Sequence, residues 1–252
     1  MEFEKYLVLN KYFLNLFGLN DFNKLREHLK NIQEGYGSSG RSYFVDVLID
    51  LIGQNPELGR KWEEKWGERL EEKLLRYDEA IRKYVGNLRS ARQKQQPNFS
   101  LKYFQYLAVL FTEMFLDRYF NDRQGFLNEL NEFLEEFNKN NNTNIPFFTE
   151  EDLKKLAYWI ATGGGKTIIM HINYWQALKY FNQWDNTILI TPNEGLSRQH
   201  YEELRLSGIP CKLYDGNINN IKTKKGEILI IDIHKLTKEK KGEGVSVDIS
   251  WF

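Results

Sequence analysis

Seven consecutive residues, Ala161-Thr162-Gly163-Gly164-Gly165-Lys166-Thr167, carry the most legible chemistry in this chain. Three adjacent glycines let backbone N–H groups turn inward and approach phosphate oxygens closely, which a side chain at any of them would obstruct. Lys166 supplies a point charge able to reach terminal phosphates, and the Thr167 hydroxyl suits a magnesium ion. The apolar run Leu156 to Ala161 predicts a strand entering this loop. Residues 167–181, whose polar positions Asn173, Gln176 and Lys179 form one stripe, predict a helix leaving it, with first-turn N–H groups and a partial positive charge aimed at the loop. The strict spacing asks for glycine six residues before the lysine, where Ile160 stands; that departure leaves the phosphate-facing residues untouched. A glycine-rich strand-to-helix turn with an incidental Lys-Thr pair is the plain alternative, and the flanking strand and helix weigh against it. The expected cofactors are ATP and Mg2+, held by Thr162, Gly163, Gly164, Gly165, Lys166 and Thr167.

The elements that must position this loop are written in two patterns. Up to about Asn138, apolar residues recur at three and four, as in Leu127, Leu130, Phe133, Leu134 and Phe137. Breaks at Gly18, at residues 35–40, at Asn55-Pro56 and at Gln96-Pro97-Asn98 predict five or six helices. Residues 62–92 read as one long charged helix with i,i+4 pairs on a solvated face. A nucleic-acid strip over Arg82, Lys83, Arg89, Arg92 and Lys94 is the sharper but less favoured reading of that stretch. Tyr6, Tyr12, Phe13 and Phe17 fall at helical spacing as core residues. Asn138 to Asn144 holds five Asn in seven residues, a composition that predicts a linker and a domain boundary. Beyond it, strands at 156–161, 187–191, 211–214 and 227–233 alternate with helices at 167–181 and 194–206, the order of an α/β parallel sheet with helical crossovers. The expected division is 1–98 helical, 99–148 a helical connection with the Asn-rich linker, and 149–252 the phosphate-loop domain.

Composition narrows the classes. Thirty-five basic and 35 acidic residues cancel, so no overall field recruits nucleic acid or an anionic membrane. Cys211 is the single cysteine, leaving no disulfide and no zinc cluster, as expected of a reducing, cytoplasmic setting. Apolar runs such as Tyr106 to Phe111 are far too short to span a bilayer, and Glu2 and Glu4 beside Lys5 do not resemble a signal peptide.

A second segment, Thr187-Ile-Leu-Ile-Thr191-Pro192-Asn193-Glu194-Gly195-Leu196-Ser197-Arg198-Gln199-His200, ends a buried strand and opens a helix. Alone it reads as a surface loop capping a helix. Together with Ala161 to Thr167 it resembles motifs I and Ia of superfamily-two helicases of the DEAD/DEAH box branch, nearest to the motor subunits of type III restriction enzymes. The resemblance implies that Thr191, Asn193, Ser197, Arg198 and Gln199 contact the phosphate backbone of a tracked strand of nucleic acid, with DNA the expected form. Hydroxyl, amide and guanidinium groups are the right chemistry for contacts that position a strand without reading sequence. Leu101 to Gln105 is similar to the upstream glutamine motif, which implies that Gln105 contacts adenine; a polar position on a core helix is the other reading. The fold implied is a helical N-terminal region followed by a partial RecA-like P-loop domain, with a modification or nuclease subunit as a possible partner.

Glu227 to His234 imitates a strand whose terminal aspartate, Asp232, holds magnesium through water, yet Ile233 follows where a water-orienting glutamate would stand. The resemblance fits it better to the strand before the acidic motif. On that alignment the chain ends at Phe252 short of motif II and of the second motor domain with its arginine finger, so the expectation is the N-terminal portion of a larger ATPase, incomplete for hydrolysis. His171 and His234 have no partner at metal-ligand spacing. Lys235 to Lys241 reads as a solvated loop. Two readings from other classes stand beside the helicase one. A small self-sufficient P-loop phosphotransferase would need an acceptor site and Asp232 as metal carboxylate. A helical interaction module with a degenerate P-loop would bind its partner indifferently to nucleotide.

Overall fold

The computed structural model describes residues 6–181, 186–217, 220–237 and 247–248, and the chain divides into two compact units: Met1–Val85 with Ser100–Asn173, and Gly86–Phe99 with Tyr174–Phe252. The units do not follow the composition boundaries at 98 and 148.

In the first unit, α1 (Val8–Asn15), α2 (Phe22–Leu29), α3 (Tyr43–Gly53), α4 (Pro56–Trp66), α5 (Leu70–Ala91) as far as Val85, and α7 (Arg123–Asn141) accompany α6 (Tyr103–Asn121). Helix α6 is buried on nearly every side, from Gln105 and Tyr106 through Leu110 and Met114 to Arg118, which marks it as the central helix. Its charge is satisfied inside: Arg118 donates to Glu129 at 2.6 Å, and Tyr12 Oη and Trp66 Nε1 donate to the same carboxylate at 2.7 and 3.2 Å. A buried ion pair is tolerable only when its remaining lone pairs are bonded in this way.

Three sequence expectations fail here for physical reasons. The long helix 62–92 is broken, because Gly67 takes φ +68° as the left-handed cap of α4 and its N–H bonds Glu63 O at 2.8 Å. The Asn-rich stretch is no open linker: α7 runs to Asn141, Asn142 caps it in the left-handed region, and the Asn138 carboxamide bonds both Ile145 N and Ile145 O. Residues 156–161 form no strand. Half-buried and exposed positions alternate there, with Trp159 79% exposed, but Tyr158 is fixed through its hydroxyl to Thr112 of α6 at 2.6 Å. A short apolar run signals burial without saying whether a helix or a neighbouring strand supplies it.

In the second unit, β1 (Thr187–Thr191), β2 (Cys211–Leu213) and β3 (Ile228–Asp232) form a parallel sheet in the order β1-β3-β2. All five residues of β3 are buried, as a central parallel strand covered on both faces requires. Leu229 and Ile231 cluster with Tyr214 and Ile221, and Ile188 packs against that cluster. Helix α9 (Glu194–Leu206) crosses the three strands, and α8 (Lys166–Tyr180) precedes the sheet in sequence. β4 (Leu236–Thr237) and β5 (Val247–Asp248) form a short parallel pair. The fold class is as expected: helices, then an α/β, partial RecA-like domain. Of the residues 235–241, 238–241 lie outside the described residues. No helix among the described residues is long and apolar enough to cross a membrane.

Within the basic strip that runs from α5 past its end, Arg92 is put to internal use. Arg89 donates twice to Phe99 O, at 3.1 and 2.7 Å, and Arg92, 6% exposed, donates to Ser207 Oγ at 2.7 Å and to Glu203 O and Oε2 at 2.9 and 2.6 Å. Lys83 pairs with Glu79 at 2.9 Å. Arg92 is thus committed to partners inside its own unit, whereas Arg89 makes its bonds at an exposed position.

Candidate functional site

The residues 161–166 form a turn that opens directly into α8. Gly163 and Gly165 take φ +78° and +83°, backbone conformations that side chains rarely adopt. Gly164 is required for space instead: a Cβ there would lie 2.5 Å from Ile160 Cγ2 and 3.0 Å from Ala161 O. Gly164 N–H closes the turn onto Ala161 O at 3.0 Å, and Ile168 N–H and Ile169 N–H return to Gly165 O at 3.0 and 3.1 Å, starting the helix. Lys166 and Thr167 occupy its first turn, where N–H groups have no carbonyl four residues back.

The Lys166 ammonium folds over the loop, donating to Ile160 O at 2.8 Å and Ala161 O at 3.2 Å. Both carbonyls are exposed loop acceptors, so the lysine exchanges weak partners for an anion at little cost. Ile160, the departure from strict spacing, thus does two things: its carbonyl parks the lysine, and its side chain fills the space above Gly164. Thr162 is exposed in the turn, and Thr167 is half-buried at the head of α8. Small backbone, cation and hydroxyl together form a donor set that fits a magnesium triphosphate. Gln105 reaches the same loop, donating from Nε2 to Gly164 O at 3.1 Å while its Oε1 accepts the Lys102 N–H at 2.9 Å.

The second candidate set lies where β1 and β3 end in register, Thr191 beside Asp232. Thr191 and Ser197 are buried and bond each other, Oγ1 to Oγ at 2.6 Å. Asn193 caps α9, its side chain accepting Leu196 N–H at 2.9 Å. Arg198 and Gln199 face solvent, and Arg198 donates to Glu194 at 2.9 Å. That hydrogen bond, with the nearby Lys235 charge, holds the Glu194 carboxyl below its ordinary range. The sequence set therefore divides: three residues build the strand-to-helix corner and two point outward from it.

A cavity of about 280 Å³ opens at this carboxyl edge of the sheet, lined among others by Ser197, Arg198, Tyr214, Asp215, Asp232 and Lys235. Crevices outside the carboxyl ends of parallel strands are where α/β domains bind ligands. Sequence alone does not mark Tyr214, Asp215, Gly216 and Lys235 as site residues; the one available signal is a polar Asp-Gly pair just after a predicted strand. Asp232 accepts the His234 N–H at 2.8 Å, so its carboxylate terminates β3 by capping the turn that follows. His171 is fully buried in α8. Burial pushes the Cys211 thiol up to about 11, which keeps it protonated and unreactive. Among the described residues, no three His, Cys, Asp or Glu side chains converge so as to hold a metal ion.

A family model described as "Type III restriction enzyme, res subunit" matches residues 117–248, more than half of the chain. The match takes in the phosphate loop, the β1–α9 corner and β3. No curated protein and no solved structure matches the chain.

Proposed function

This chain belongs to the type III restriction enzyme res subunit family, a helicase-like ATPase family, and on that premise we propose that it binds ATP with magnesium at residues 162–167 and contacts a nucleic-acid backbone at the β1–α9 corner. The observation that carries the nucleotide reading is the loop itself. Two glycines are fixed at positive φ, a third admits no side chain, and the lysine rests on two loop carbonyls at the mouth of a helix. Thr167 is the protein's ligand to magnesium in this reading. Magnesium, when bound, neutralises phosphate charge; the chain's own part is to cradle the oxygens with N–H groups and to place Lys166 beside them.

At the corner, Arg198 and Gln199 meet the phosphates directly, while Thr191, Asn193 and Ser197 set the backbone from which they project. DNA is the expected strand, and contacts of this kind position it without reading bases. Because the net charge is zero and the contacts are to phosphates, binding is weak and falls as salt rises. The family is described as that of a subunit, and a modification or nuclease subunit is the proposed partner. Turnover by this chain is slow in the same reading. Asp232 caps the turn that follows β3, and on the superfamily-two alignment that strand precedes the acidic motif, so it supplies neither the magnesium carboxylate nor the water-orienting one.

Titration with a fluorescent ATP analogue tests the nucleotide site. Lys166→Ala should weaken binding about a hundredfold or more with an unchanged melting temperature, since its two partners are exposed carbonyls. Equal affinities would remove the assignment.

A further inference from the structure

Gln105 is 9% exposed, and both ends of its carboxamide are engaged by backbone. Oε1 accepts the N–H of Lys102, the residue that opens α6, at 2.9 Å; Nε2 donates to the carbonyl of Gly164, in the middle of the phosphate loop, at 3.1 Å. A trans peptide is planar, with its C=O and the following N–H pointing in opposite directions. Drawing the Gly164 carbonyl toward Gln105 therefore turns the Gly165 N–H away from α6. The close approach is also imprinted on the sequence: a Cβ at Gly165 would fall 2.3 Å from Gln105 Nε2. Gly165 is thus constrained twice, by its φ of +83° and by the amide beside it.

We propose that Gln105 is a positioning residue of the phosphate loop, fixing the orientation of the 164–165 peptide so that the loop accepts triphosphates whatever base they carry. This rests on the reading of residues 162–167 as the nucleotide site, and it differs from a role in which Gln105 reads adenine. A base reader spends its donor and acceptor on one base edge. Here the observed donor is spent on the loop and the observed acceptor on the start of α6. Without the donated bond, the 164–165 peptide is free to rotate as a unit between its two flanking glycine torsions, and the N–H aimed at phosphate is lost for part of the time.

Gln105→Glu isolates the donor, because a carboxylate oxygen still accepts from Lys102 N–H but repels the Gly164 carbonyl. Gln105→Met removes both bonds at similar volume and serves if the glutamate variant folds poorly. Affinities for ATP, GTP, CTP and inorganic tripolyphosphate are read by displacement of a fluorescent ATP analogue, alongside thermal melting. The proposal expects every ligand that the wild type binds to weaken together by about tenfold in both variants, with ratios among bases and melting temperature retained. Loss confined to ATP would overturn it in favour of base reading, and unchanged affinities would overturn it outright. A wild type that binds none of the four would instead overturn the nucleotide site itself.

Discussion

The starts of α8 and α9 are both sharp turns into a helix with a cation close by, and they are built in opposite ways. At α8 three glycines leave backbone exposed, no carboxylate lies among residues 161–167, and Lys166 rests on carbonyls it can leave. At α9 the corresponding groups are already occupied: Asn193 caps, Thr191 and Ser197 bond each other, and Glu194 in the first turn both answers the helix charge and holds Arg198. A helix start offers an anion what its own side chains have not already supplied. The first is therefore a cradle, and the second is a corner from which side chains reach out.

The sharpest way to break this contrast is to add one methyl group at each place. Gly164→Ala puts a Cβ against Ile160 and the Ala161 carbonyl, and it should cost at least about tenfold in ATP affinity, since backbone must move. Gly195→Ala meets no backbone and only the Asn193 cap oxygen, at 3.3 Å, so ATP affinity should be unchanged, with the gain in helix propensity opposed by a slightly displaced cap. Equal effects in a paired titration and melting experiment would mean that the two helix starts do not differ as described.

A smaller effect is expected at the corner. Asn193→Ala removes the cap on Leu196 N–H and should destabilise by about 1 kcal/mol, read as a lower denaturant midpoint with ATP affinity unchanged. Smaller again, Glu194→Gln frees Arg198 and should tighten single-stranded DNA binding about two- to threefold at low salt, through one exposed ion pair. The gain should vanish at high salt. A gain that persisted there would show that Glu194 acts through something other than its charge.

The smallest concerns His200 on α9, whose half-buried ring titrates below its usual range because burial disfavours the charged form, with Glu203 opposing. The folded-state pKa lies below the unfolded value. The contribution is therefore complete above about 6.5 and is lost as pH falls through the folded value. Melting between pH 7.5 and 5 should fall more steeply in wild type than in His200→Gln.

Much of this is legible in the sequence, for reasons particular residues make plain. Strand β1 and helix α9 fall where the sequence predicts them, at Thr187–Thr191 and Glu194–Leu206, because Thr-Pro-Asn punctuates the junction and Asn193 is a strong cap. β3 matches its predicted span within a residue at each end, since a central parallel strand is apolar throughout. The phosphate loop stands out because its chemistry is local. What escapes depends on partners distant in the chain. Leu156 to Ala161 looks like a strand, but Tyr158 bonds a threonine on α6. Gln105 looks like a base reader or a bystander, and its bond to Gly164 is visible only in three dimensions. Arg92 looks like a surface charge within a basic run.

That arginine carries a consequence for how the protein is made. Ser207, whose hydroxyl meets it, lies 115 residues further along. The sheet-bearing unit therefore waits, during synthesis, with its first piece already out of the ribosome and its last not yet translated. Such a long closure slows assembly. A recombinant fragment started at the Asn-rich stretch would carry the described strands and still lack the guanidinium that binds Glu203 and Ser207 at the end of α9. Expression of the second unit should then depend on supplying residues 86–99, joined or added as a separate peptide, and yield of folded material is the quantity that would register it.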